Sequence, residues 1–120
     1  MGNCIFCRII AGEIPSKILW QDQNVVAFRD INPQAPTHIL IVPKKHLVTF
    51  ADFTAAEGNI LASMAEAVRE TAKADGVLES GYRLIVNNGP DGGQEVMHVH
   101  MHLFGGRNIG PMVRKPKTDG

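Results

Sequence analysis

His98, His100 and His102 alternate with Val99, Met101 and Leu103. In an extended chain successive side chains point to opposite faces, so one face would carry three imidazoles and the other three apolar groups. The sequence has five histidines, and these three follow the glycine-rich stretch Asp91-Gly92-Gly93. Near neutral pH, imidazole serves as nucleophile, acid, base or metal ligand. Three uses of the row are open. It could be an ordinary polar strand face. It could hold a metal, with His-x-His giving two ligands and a third coming from elsewhere. It could also perform nucleophilic catalysis, one ring attacking while its neighbours set its tautomer and meet the charge that develops. The glycines favour catalysis, because amides without side chains can approach a phosphate closely.

A second pattern is Cys4-x-x-Cys7. On a short helix these two residues share a face. They could be small buried hydrophobes, a redox pair, or half of a structural zinc site that needs two further ligands. A redox pair fits least well, because no βαβ unit follows.

The elements that must position these residues are readable from periodicity and punctuation. Asn3 is the expected cap of a short helix reaching Ile10 or Ala11, stopped by Gly12. Residues 17–21 and 25–30 read as a hairpin around Asp22-Gln23-Asn24. Pro33 and Pro36 make 31–37 a loop, and the apolar run 38–42, ended by Pro43, reads as a buried strand. Thr54-Ala55-Ala56-Glu57 is a capping box. Behind it Ile60, Leu61, Met64, Ala65, Val68 and Ala72 recur at helical spacing until Gly76. Residues 82–87 alternate as a strand, 88–93 form a turn, and the histidine strand follows. Strands dominate, so the expected class is α+β: an antiparallel sheet covered by helices, with the imidazoles on a partly open face.

At 120 residues one domain is expected, with a tail from about residue 112 fraying. The 12 basic and 12 acidic residues balance, which argues against a nucleic-acid binder. No stretch could cross a membrane and no leader is visible, so a cytoplasmic enzyme or binding module is expected. Two cysteines are too few for a disulfide-stapled secreted fold.

The run His98-Val99-His100-Met101-His102-Leu103-Phe104 after Gly92-Gly93-Gln94 resembles the histidine triad (HIT) family of nucleotide-binding proteins. The likeness extends to Phe28-Arg29-Asp30-Ile31, Pro33 to His38, Ile41 to His46, Gly81-Tyr82-Arg83, Asn87 and Gly105-Gly106-Arg107, and is nearest to the bacterial phosphoramidase branch. The resemblance implies a five-stranded antiparallel sheet with two helices, and a homodimer in which two sheets continue across a two-fold axis. The long helix is a plausible contact face. The implied reaction is hydrolysis of purine nucleoside phosphoramidates through a nucleotidyl-histidine intermediate. His100 would be the nucleophile, His102 would bind the phosphate oxygens, and His38 would orient the nucleophile. Asn87, Gly93 and Gln94 would hold phosphate, Asp30 the ribose hydroxyls, and Phe6, Ile9, Phe28 and Ile31 the base. Many relatives carry serine where this chain has Glu95. A carboxylate there suits electrostatic attraction of a cationic leaving amine better than proton donation. The resemblance also implies a structural zinc on Cys4, Cys7, His46 and His98. A dinucleoside polyphosphate hydrolase and a non-catalytic nucleotide-binding module are the competing functions.

Overall fold

The computed structural model describes residues 3–114. The short helix α1 spans Ile5–Ile10 and the long helix α2 spans Gly58–Ala74. Five strands, β1 (Ile18–Gln21), β2 (Val25–Arg29), β3 (Thr37–Pro43), β4 (Tyr82–Val86) and β5 (Met101–Gly105), form one antiparallel sheet in the order β1-β2-β3-β5-β4. The α+β architecture is therefore as expected. Most of the expected frayed tail lies beyond residue 114, outside the described residues.

Strands β2 and β3 are apolar on both sides because both sides are covered. Val25, Ala27, Ile39, Ile41 and Leu103 face α2 and pack on Met64, Ala67, Val68 and Ala72. Val26, Phe28, Leu40 and Val42 face the other way and pack on Phe6 and Ile9 of α1. The two-residue alternation thus sorts each strand between two cores. The apolar stripe of α2 is spent on its own sheet.

The capping box forms: the Thr54 amide and hydroxyl both donate to Glu57 Oε1, at 2.8 Å each. It opens a 3₁₀ turn, Ala55–Glu57, before α2 proper begins. A further 3₁₀ turn, Phe50–Asp52, lies in what reads as featureless loop. Gly76, at φ +73°, ends α2 in the left-handed region that glycine enters without strain. Beside it Asp75 accepts from both Arg29 terminal nitrogens (2.9 and 2.6 Å) and from Thr37 Oγ1 (2.9 Å). These bonds pin the helix end to β2 and β3.

Two readings of the sequence need correcting. Cys4, not Asn3, caps α1, its sulfur accepting from the Cys7 amide at 3.4 Å. The histidine strand is also shorter than its alternation suggests. The ladder with β3 starts at the Met101–Ile41 pair, so His98 and His100 precede the strand in irregular backbone. There the Val99 amide donates to Leu47 O at 2.7 Å, which ties this segment to the loop after β3.

Candidate active site

Register builds the site. His38 on β3 stands opposite Phe104 on β5, and Leu40 stands opposite His102. All four share the α1 side of the sheet. The six-residue helix α1 covers only part of that side, and the remainder is a cavity of about 680 Å³. Phe6, Ile9, Phe28, Asp30, Ile31, Asn87, Gly93, Glu95, His100 and His102 line it, so ten scattered residues singled out in the sequence meet in one place. Ile31 is 93% exposed, an apolar side chain at the rim with nothing covering it.

Hydrogen bonds assign the tautomers. His100 Nδ1 lies 2.8 Å from His98 O. A carbonyl only accepts, so Nδ1 carries the proton and Nε2 keeps its lone pair. A second chain begins at the Gln34 amide, which donates to His38 Nδ1 at 3.2 Å. The proton of His38 therefore sits on Nε2, which donates to His102 Nδ1 at 3.0 Å. That leaves His102 with an Nε2–H donor. One ring thus offers a lone pair and another a proton to the same cavity. His38 orients His102; the ring of His100 is held by the His98 carbonyl instead. This differs from the task that the resemblance suggests for His38.

Burial pulls the His102 pKa down to about 4, helped by the neighbouring His100 and His38 rings and opposed by Asp30. Burial likewise lowers His38, against the pull of Asp30, whose Oδ2 lies 3.5 Å from His38 Nε2. At neutral pH both rings are uncharged. Arg29 is the one cation among the described residues lining the cavity, and its guanidinium is bound to Asp75. Free charge in the cavity therefore comes from the carboxylates Asp30 and Glu95.

The loop beside these rings is tightly folded. Gly93, at φ +77°, closes a turn by donating to Pro90 O at 3.0 Å. A Cβ on Gly92 would collide with the backbone of Asn88. Gln94 is buried and does not line the cavity. Its Oε1 accepts from the Gly89 amide (2.9 Å), and its Nε2 donates to Val48 O (2.7 Å) and Val96 O (3.0 Å). Gln94 braces the loop rather than facing a ligand.

His98, the first of the row, serves a separate cluster. Its Nε2 lies 2.8 Å from Pro43 O, so the proton sits there and Nδ1 is bare. That nitrogen is 3.3 Å from Cys4 Sγ and 3.6 Å from Cys7 Sγ, while His46 Nδ1 is 3.3 Å from Cys7 Sγ. The four ligand atoms lie within 4.8 Å of one another. Tetrahedral zinc with bonds of about 2.0–2.3 Å separates its ligands by roughly 3.3–3.8 Å, so the donor set, its spacing and the His98 tautomer all fit a metal. Burial, then the Cys4 thiol, raises the Cys7 pKa, and a cation in the cluster would favour the thiolate. Asp30, His38 and His102 also lie close together, but the two facing imidazole nitrogens there are bonded to each other.

Residues 11–109 match the model of the HIT domain. A relative from Escherichia coli (strain K12), named purine nucleoside phosphoramidase, is 52% identical over 91% of this chain and 92% of its own. A Zea mays relative, named 14 kDa zinc-binding protein, is 49% identical over 88% of this chain and 83% of its own. Among solved structures, an HIT family hydrolase from Legionella pneumophila Philadelphia 1 superposes with a TM-score of 0.86 at 49% identity, covering 90% of this chain and 96% of that one. The fold and the paired imidazoles define a histidine triad protein. The chain belongs to the HIT family.

Proposed function

We propose that the chain is a purine nucleoside phosphoramidase, the activity for which its Escherichia coli relative is named. His100 Nε2 attacks the α-phosphorus of a nucleoside phosphoramidate. A P–N(imidazole) bond forms, the P–N(amine) bond breaks with its electron pair going to the amine nitrogen, and the amine leaves with a proton taken from solvent. Water then attacks the same phosphorus, His100 is released, and nucleoside monophosphate departs. Dividing the displacement in two lowers each barrier. The His102 Nε2–H donates to a non-bridging oxygen, as does the Asn87 side-chain amide, whereas the Gly93 amide, spent on Pro90 O, shapes the loop and is not itself a phosphate donor. Asp30 accepts from the ribose hydroxyls. Phe6, Ile9, Phe28 and Ile31 hold the base, which would cover the bare Ile31 side chain.

The observation that carries this reading is the pair of hydrogen-bonded chains, Gln34–His38–His102 and His98–His100. Together they leave one nucleophilic nitrogen and one neutral donor beside a single cavity. Glu95 is exposed on that cavity and makes no hydrogen bond or ion pair among the described residues. It attracts a cationic amine and repels a leaving group that carries further phosphates. With Arg29 tied to Asp75, no free lysine or arginine among the described residues lining the cavity offsets that repulsion, which favours phosphoramidates over dinucleoside polyphosphates.

Zinc on Cys4, Cys7, His46 and His98 would supply structural cross-linking, taking no part in the bond changes; the name of the maize relative supports that metal. The exposed edge strand β4, with Leu84 42% and Tyr82 38% exposed, supports a homodimer that extends the sheet across a two-fold axis. Unpaired apolar edges invite such pairing. The test of the function is incubation with adenylyl and guanylyl phosphoramidates. Release of monophosphate by the native protein and its loss in His100→Ala is the expected outcome. Nucleotide binding without turnover would instead indicate a binding module.

A further inference from the structure

The metal-type cluster and the nucleotide cavity share a wall. Helix α1 carries Cys4 as its cap and Cys7 in its first turn, while Ile5, Phe6 and Ile9 of the same helix line the cavity. The Phe6 ring lies edge-on to two rings at once, with its centroid 5.8 Å from His98 and 4.9 Å from His100. His98 presents its ring to the cysteines and its carbonyl to His100 Nδ1. Glu95 lines both the cavity and the shallow depression beside Cys4 and His46. A six-residue helix is not stable by itself. Its position must come from packing and from whatever cross-links its thiols.

We propose that metal in the Cys4–Cys7–His46–His98 cluster raises the affinity of the cavity for purine nucleotide by fixing α1 and the His98–His100 segment. This inference rests on the nucleotide-binding reading above. Binding at two sites that order one element is reciprocally coupled: the factor by which metal tightens nucleotide is the factor by which nucleotide tightens metal. His46 is the useful probe. It belongs to the cluster but does not line the cavity, so its loss reaches nucleotide only through the shared wall.

The experiment starts from protein purified without chelator, with zinc content measured. The dissociation constant of AMP is then found by calorimetry for zinc-replete protein, chelator-treated protein and His46→Ala. Far-UV circular dichroism reports whether each remains folded. Separately, the equilibrium transfer of zinc to a chromophoric chelator is followed with and without saturating AMP. This arm needs no stable metal-free protein. About tenfold weaker AMP binding without zinc, weaker binding in His46→Ala, and a matching tenfold suppression of zinc transfer by AMP are expected. Unchanged zinc transfer with AMP bound would overturn the coupling, as would equal AMP affinity in folded zinc-replete and zinc-free protein. A protein that binds AMP but never zinc would overturn the inference and leave the proposed function standing. A protein that binds no AMP in any state would overturn both.

Discussion

The relay from Gln34 through His38 to His102 requires neutral imidazoles, and this makes stability depend on pH in a defined direction. An unfolded histidine titrates near 6.5, whereas folded His102 titrates at about 4. Between those values the unfolded chain binds a proton that the folded chain does not, so stability falls as pH falls. The contribution is complete above about pH 6.5, drains through the window, and is gone below about pH 4. The full shift corresponds to at most about 3 kcal/mol, at 1.36 kcal/mol per unit. His38 and His98 are lowered too, mainly by burial, and add loss of the same sign. To isolate His102, native protein and His102→Gln are compared, since glutamine can still accept from His38 Nε2. Urea unfolding followed by the single tryptophan, Trp20, is measured from pH 4.5 to 7.5 at fixed ionic strength, protein and zinc concentration. The native gradient should exceed that of the variant by up to one proton, about 1.4 kcal/mol per pH unit. Equal gradients would refute the neutral, buried His102 on which the relay depends.

Three further outcomes follow from the geometry. Gly92→Ala forces the Asn88–Gly93 loop outward, because a Cβ meets the Asn88 backbone; kcat/KM should fall at least tenfold, while Gly58→Ala, with open space around it, should leave kcat/KM unchanged. Glu95→Gln should lower the ratio of kcat/KM for cationic over anionic leaving amines about a hundredfold, since unit charges about 6 Å apart at an effective dielectric of about 40 interact by about 1.4 kcal/mol and the lost attraction and lost repulsion add; an unchanged ratio would remove Glu95 from leaving-group selection. Leu84→Lys on the β4 edge should shift the molar mass by light scattering from two chains to one, and a native protein that is already monomeric would refute the sheet-extending dimer.

Much of this architecture was legible because its signals are local. The apolar run 38–42 marks a strand buried on both faces, and the helical recurrence behind Thr54 names one buried face, each without knowledge of partners. The cavity residues were legible through the histidine row and its resemblance to a family, although they come from α1, two strands and two loops. The missed features depend on three-dimensional company. Alternation says which side a residue faces, not whether its backbone is in a ladder. Hence His98 reads as part of the strand, whereas it sits before β5 beside the Leu47 loop. Nothing in the sequence distinguishes a His38 that orients His100 from one that orients His102; the 3.0 Å bond to His102 Nδ1 decides it. Gln94 lies inside the signature and reads as a ligand residue, yet its amide is consumed by Gly89, Val48 and Val96. The Arg29–Asp75–Thr37 tie spans β2, α2 and β3 and has no sequence pattern at all.

The central claim is that His100 Nε2 becomes bonded to phosphorus during turnover. Rapid acid-free quenching of a phosphoramidate reaction, followed by proteolysis and mass spectrometry, tests it directly. A nucleotidyl adduct on the imidazole of His100, absent from His100→Ala together with hydrolysis, is the predicted result. An adduct on another side chain, or full hydrolytic rate in His100→Ala, would contradict it.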